Sequence, residues 1–206
     1  NFDIIVGGGT IVDGTGRPAY RADIGIKDDQ IVTIGALSQT ARAQRIIDAK
    51  DKIVTPGFID IHTHIDIESN GSNILSDGYA ENFIMQGTTT VIGGNCGMGS
   101  GLIHDFLENV KAAKTSPNVG VLVGHGDVRK AVLNMDNRRP SASELEEMKR
   151  LVQQGMEAGA FGLSSGLGYA PGSYADLDEM VELCKVVERY KGFYTSHIRE
   201  QSKDII

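Results

Sequence analysis

The chain has no tryptophan, two cysteines and five prolines in 206 residues, and its aromatic share is 6%. Cys96 and Cys184 are too few and too far apart to form a disulfide framework in a chain of this length, so a reducing, cytoplasmic setting is expected. No run approaches the roughly 18 uninterrupted apolar residues that cross a bilayer, and no basic segment followed by an apolar one opens the chain, so no membrane association is expected. Basic side chains are also scarce. Twenty Lys and Arg stand against 27 Asp and Glu, a net charge of −7, without a cluster that would neutralise a row of phosphates, and this argues against nucleic acid as a partner. Glycine is plentiful, with 26 residues beside a 40% hydrophobic share, and together they reach the apolar content of a globular chain.

Up to residue 54 the pattern is one of short β-segments between Gly and Asp turns: Ile4–Val6, Thr10–Val12, Ala22–Lys27, Gln30–Gly35 and Arg45–Asp48, with Asp28-Asp29 as a hairpin turn. From residue 55 on, strand candidates alternate with helical stretches, the mark of βα units on a parallel sheet. The strands are Phe58–His64, Thr88–Gly94, Val119–His125, Ala160–Ser164 and Phe193–His197. Ser143 with Glu146, and Asp176 with Glu179, read as helix starts. After Asp176 the helical spacing of Leu177, Met180, Val181, Cys184 and Val187 predicts that they face the sheet, which makes Cys184 a core residue. Five such units fit either an open doubly wound sheet or part of an eight-stranded barrel.

The chemistry lies where strands end. In Phe58–Ile67 alternate positions are apolar, and Asp60, His62, His64 and Asp66 share the other face of a strand. Two imidazoles at i and i+2 make a clamp suited to zinc, where a merely amphipathic edge strand would need neither. Cys96 follows the next strand within Gly93-Gly94-Asn95-Cys96-Gly97; the glycines clear bulk around it, and a zinc-bound thiolate needs no separate base. His125 and His197 close the third and fifth strands, so imidazoles and one thiol converge at equivalent carboxyl ends. His104, at a helix start, reads as a surface residue. Gly97-Met98-Gly99-Ser100-Gly101 fails as a dinucleotide fingerprint because Leu102 stands where a third glycine is needed, and no Gly-Lys-Ser/Thr completes a phosphate loop.

Val54-Thr55-Pro56-Gly57-Phe58-Ile59-Asp60-Ile61-His62-Thr63-His64 resembles the first barrel strand of the amidohydrolase superfamily. With Gly93–Gly97, Val123-Gly124-His125, Gly162–Leu167 and Ser196-His197-Ile198-Arg199-Glu200, the sequence is similar to the N-acyl-D-amino-acid deacylases (D-aminoacylases) within it. The resemblance implies part of a small β-sandwich over residues 1–54. It implies an incomplete (β/α)8 TIM-type barrel, strands one to five, over residues 55–206. It further implies one tightly held zinc on Cys96, His197 and a strand-six histidine, and a second, weaker metal position at His62 and His64. Ala160–Ser165 carries no lysine to be carboxylated between two metals, which argues against the dihydroorotase and hydantoinase branches. The strand-six histidine and the strand-eight general-base aspartate would lie beyond Ile206, and the rest of the barrel would come from a missing segment or another chain. The implied activity is zinc-dependent hydrolysis of small-molecule N-acyl-D-amino acids by metal-activated water, with residues 1–206 inactive alone. Tyr169 and Arg199, and with them His125, are the candidates to bind substrate. The alternatives are another cyclic-amide hydrolase or deaminase of the superfamily, or a non-catalytic truncated scaffold.

Overall fold

Alternating apolar residues and frequent glycines make the first 57 residues a sheet. The computed structural model describes residues 1–37, 40–67, 73–99 and 101–201, in two units, Asn1–Gly57 and Phe58–Ile206. The first unit holds β1 (Phe2–Ile11), β2 (Tyr20–Lys27), β3 (Gln30–Gly35), β4 (Ala43–Asp48) and β5 (Ile53–Val54). They form one sheet in the order β3-β2-β1-β4, with β5 also on β1. The two segments expected at 4–6 and 10–12 are a single strand. Its pairing with β2 slips between Val6 and Gly9, where Gly8 takes φ 73, so the glycine run makes an irregularity and not a turn. Asp28, at φ 54, turns the β2–β3 hairpin. Ile11, Ala22 and Ile24 pack with Val6, Ile26 and Val54. Among the described residues this unit is one layer, without the second sheet of a sandwich.

The second unit carries β6 (Phe58–Asp60), β7 (Thr88–Gly93), β8 (Asn118–Val121), β9 (Val123–Gly124), β10 (Gly162–Gly166) and β11 (Phe193–His197). Its helices are α1 (Glu81–Ile84), α2 (Ile103–Ala113), α3 (His125–Leu133), α4 (Ala142–Glu157) and α5 (Leu177–Arg189). Every strand pair here is parallel, in the orders β6-β7-β8 and β9-β10-β11. Only Leu122 separates β8 from β9, and its N–H donates to Gly93 O at 3.0 Å. Spatial order therefore follows chain order. A doubly wound sheet reverses its order at a switch point, and this one does not. β6 and β11 each pair on one side only among the described residues.

Val91, Val121 and Leu163 are fully buried beneath Phe106 of α2, Met148 and Val152 of α4 and Leu183 of α5. Helix α4 starts two residues earlier than expected. Ser141 caps it, its Oγ accepting from Glu144 N–H while Glu144 Oε2 accepts from Ser141 N–H at 2.8 Å. Asp176 caps α5 as its spacing implied, accepting from Glu179 N–H at 2.9 Å. The buried face of α5 is rotated from the expected stripe. Glu179, Met180, Leu183, Val186 and Val187 are buried, whereas Leu177 is 76% exposed and Val181 is exposed. Glu179 shifts the face inward because its carboxylate has buried partners, which an apolar periodicity does not register. Cys184 is half-buried and lines, with Leu177, Val181, Leu167 and Tyr194, an open groove of about 460 Å³.

Candidate metal centre

Strand β6 ends at Asp60, so His62 and His64 stand in the segment just after it. Alternation persists there: both histidines are exposed, and Thr63 between them is buried, its N–H and Oγ1 both donating to Ile92 O. The two imidazoles meet edge-on, with centroids 5.8 Å apart. Asp60 and Asp66 do not join them as expected. Asp60 accepts from His62 N–H at 3.1 Å, and buried Asp66 accepts from Gly94 N–H at 3.0 Å.

Cys96 lies just past β7 in a short 3-10 turn, Asn95–Gly97, and takes φ 57, ψ 27 between Gly94 at φ 73 and Gly97 at φ 75. A left-handed non-glycine residue costs on the order of 1–2 kcal/mol and persists only where its surroundings fix it. They do so here. Fully buried Asn95 donates through Nδ2 to Ile61 O and Ile92 O, at 3.2 and 3.0 Å, and its Oδ1 accepts from Thr195 Oγ1. Buried Ser164 donates to Gly94 O and accepts from Gly97 N–H at 2.9 Å. Tyr169 donates its hydroxyl to Cys96 O at 2.5 Å, and Gly99 N–H donates to Asp127 Oδ2 at 2.7 Å. Residues from β7, β10 and β11, and from the segment just after β6, thus converge on one turn.

The thiol is buried beside the imidazoles. Cys96 Sγ lies 3.3 Å from His62 Nε2 and 4.0 Å from His197 Nδ1, and the ligand atoms of His62, His64 and Cys96 all fall within 4.8 Å of one another. Zn–S near 2.3 Å and Zn–N near 2.0–2.1 Å place tetrahedral S and N ligands roughly 3.5 Å apart. The two sulfur–nitrogen distances bracket that value, so the donor set fits a metal with Cys96 at its middle. His197, the last residue of β11, packs its ring 5.2 Å from that of Tyr169, and its Nε2 meets Gln201 Nε2 at 3.2 Å. Burial, and then the neighbouring Cys96, push the Tyr169 hydroxyl up to about 12.

Two expected substrate ligands are engaged elsewhere. His125 is the first residue of α3, not the end of a strand, and its fully buried ring meets Glu179 Oε1 at 2.7 Å. Glu179 also takes a hydrogen bond from buried Arg129, so His125 belongs to an ion-pair network between α3 and α5. Arg199 donates to Ser173 O and Ala175 O, at 2.6 and 2.8 Å, and holds the loop before α5. His104 is exposed beside Asp105, as its position suggested. The residues to which sequence reasoning gave no role are Asn95, Ser164 and Asp127. Burial raises the Asp127 carboxyl, with Asp66 adding to it, against the lowering effect of the Gly99 hydrogen bond and of Lys130.

Parallel strands in chain order, with a thiol and imidazoles gathered at their carboxyl ends, define an α/β enzyme scaffold with a metal-binding centre. The chain belongs to the amidohydrolase family, whose model matches residues 45–204. It is 33% identical to a D-aminoacylase of Alcaligenes xylosoxydans xylosoxydans, over 100% of this chain and 46% of that protein. A crystal structure of D-aminoacylase superposes with a TM-score of 0.90 at 35% identity, covering 100% of this chain and 47% of that one. The N-acyl-D-glutamate deacylase from Bordetella bronchiseptica, complexed with zinc and a phosphonate mimic of the tetrahedral intermediate, superposes at 0.88 with 34% identity, over 99% and 46%. The chain spans about half the length of these relatives.

Proposed function

We propose that the whole protein hydrolyses the amide bond of N-acyl-D-amino acids at a zinc centre, and that residues 1–206 supply the first half of that site. The observation that carries this reading is the Cys96 thiol, set between His62 at 3.3 Å and His197 at 4.0 Å. Zinc held there would lower the pKa of a bound water from 15.7 to about 7 and would polarise the scissile carbonyl. Cys96 and His197 would hold the tighter metal with a further imidazole from outside these residues, and His62 and His64 would form a second, weaker position. β10, Gly162–Gly166, carries no lysine that could be carboxylated, which would leave the Cys96 thiolate as its substitute.

Tyr169 keeps its place as a substrate-side candidate because its ring stands against His197. The aspartate that moves the proton to the leaving amine, the cationic partner of the substrate carboxylate and the strands that complete an eight-stranded barrel are assigned to the rest of the protein or to another chain. A metal-ligand thiol suits a reducing compartment, so the cytoplasm is the proposed location. Release of amino acid from N-acetyl-D-amino acids and from their L-forms, and ring opening of a hydantoin to its N-carbamoyl amino acid, test the reading in the zinc-loaded whole protein. Preference for the D-forms is expected; comparable turnover of the hydantoin refutes it, and a purine or pyrimidine deaminase activity replaces it.

A further inference from the structure

We infer that Asp127 is a positioning residue for Cys96, acting through the hydrogen bond that its Oδ2 accepts from Gly99 N–H at 2.7 Å. The inference rests on the reading of Cys96 as a metal ligand and adds a residue to it. Between Gly94 and Gly99 the chain takes three left-handed residues, Gly94, Cys96 and Gly97. Such a backbone has no ladder of its own: within the loop Met98 N–H donates to Asn95 O at 3.2 Å. Its two ends are tied to carboxylates from outside, Gly94 N–H to Asp66 and Gly99 N–H to Asp127. An ionised acceptor makes the stronger kind of hydrogen bond to a backbone N–H.

Asp127 is well placed to transmit its position. It lies two residues past His125, in the first turn of α3, and buried Glu179 ties that helix to α5 through both His125 and Arg129. The start of α3 abuts the Cys96 loop backbone to backbone. A Cβ at Gly124 would meet Asp127 Oδ2 at 2.7 Å and Gly97 O at 2.8 Å, and a Cβ at Gly126 would meet Gly97 O at 2.7 Å. With no side chain between them to absorb movement, a loop released at Gly99 keeps the ties of Asn95, Ser164 and Tyr169 but loses the one at its outgoing end, and the placing of Cys96 Sγ against the imidazoles loosens.

The test is a cobalt(II) titration of the metal-free whole protein, read by the thiolate-to-cobalt charge-transfer band, for wild type and for Asp127→Ala, Asp127→Ser and Asp127→Asn. Partners one shell out from a metal typically change its affinity 10–100-fold, so the Ala and Ser variants should each bind cobalt about tenfold more weakly and with a reduced band. The Asn variant keeps an acceptor for Gly99 N–H and should recover most of the affinity. Three results overturn the inference: unchanged cobalt affinity in the Ala and Ser variants, an Asn variant as weak as Ala, or a loss confined to the stability of the metal-free fold. A wild-type protein that binds cobalt without a thiolate band overturns the assignment of Cys96 itself, and this inference with it; a normal wild-type band with unaffected Asp127 variants overturns this inference alone.

Discussion

Removing Glu179 is expected to destabilise the α/β unit more than any single change at the metal cluster. Its carboxylate is 2% exposed and meets two residues with no exposure, His125 at 2.7 Å and Arg129. In Glu179→Ala the buried Arg129 charge keeps the Arg138 carbonyl, which accepts from its Nη2 at 2.5 Å, but loses its carboxylate partner. Breaking one side of a buried pair costs about 3–5 kcal/mol, because the other charge is left without compensation. Replacing both, as Glu179→Leu with Arg129→Met, should recover most of that loss, since apolar residues of similar volume are often as stable as a buried pair. Urea denaturation followed by circular dichroism suits this protein, which has no tryptophan.

The pH arm has a definite sign. Burial pushes the Glu179 carboxyl up, but the hydrogen bonds and charges of His125 and Arg129 outweigh it and hold the group below its ordinary value. The stabilisation is therefore complete above the unfolded carboxyl pKa of about 4.3 and is lost as pH falls through the lower folded value. The gap between wild type and Glu179→Ala should be constant near neutrality and narrow in acid. A loss below about 1 kcal/mol, or a gap that widens on acidification, refutes the network's assigned role.

Three further outcomes follow from the geometry. Gly94→Ala would place a Cβ 2.2 Å from Leu122 O at a residue with φ 73, so it should give a protein that misfolds or fails to bind zinc, and a stable zinc-binding variant would contradict the loop's description. Tyr169, pushed up to about 12, should contribute at most about a tenth of one tyrosinate's absorbance in wild type up to a pH of about 11, so Tyr169→Phe should leave that titration's amplitude nearly unchanged; loss of one full tyrosine's signal refutes it. Residues 1–206 alone should bind ANS or self-associate and show no deacylase activity, because Phe58, Ile59 and Tyr194 on the one-sided strands β6 and β11 are 57%, 63% and 42% exposed. A monomeric, cooperatively folding and active 206-residue chain would contradict this.

Local pattern made some of this architecture legible and hid the rest. β3 and β11 have the bounds that alternation implied, Gln30–Gly35 and Phe193–His197, because each is a short run between turn residues. The third strand was misread at its end: Val119–His125 is two short strands, and Gly124-His125 begins a helix whose first imidazole turns to Glu179, a partner 54 positions on. The cluster was legible because histidine and cysteine announce their chemistry wherever they fall, although Cys96 and His197 are 101 positions apart. Asn95 and Ser164 announce nothing. Their partners are backbone atoms such as Ile61 O and Gly94 O, 34 and 70 positions away, and no spacing rule connects a side chain to a carbonyl at that distance.

The central claim is that Cys96 is the metal ligand on which the site is built. Zinc content of the purified whole protein, measured by elemental analysis for wild type, Cys96→Ala and His62→Ala, tests it most directly. The account predicts bound zinc in wild type, loss of most of it in Cys96→Ala and a smaller loss in His62→Ala, which belongs to the weaker position. Stoichiometric zinc retained by Cys96→Ala would contradict the account.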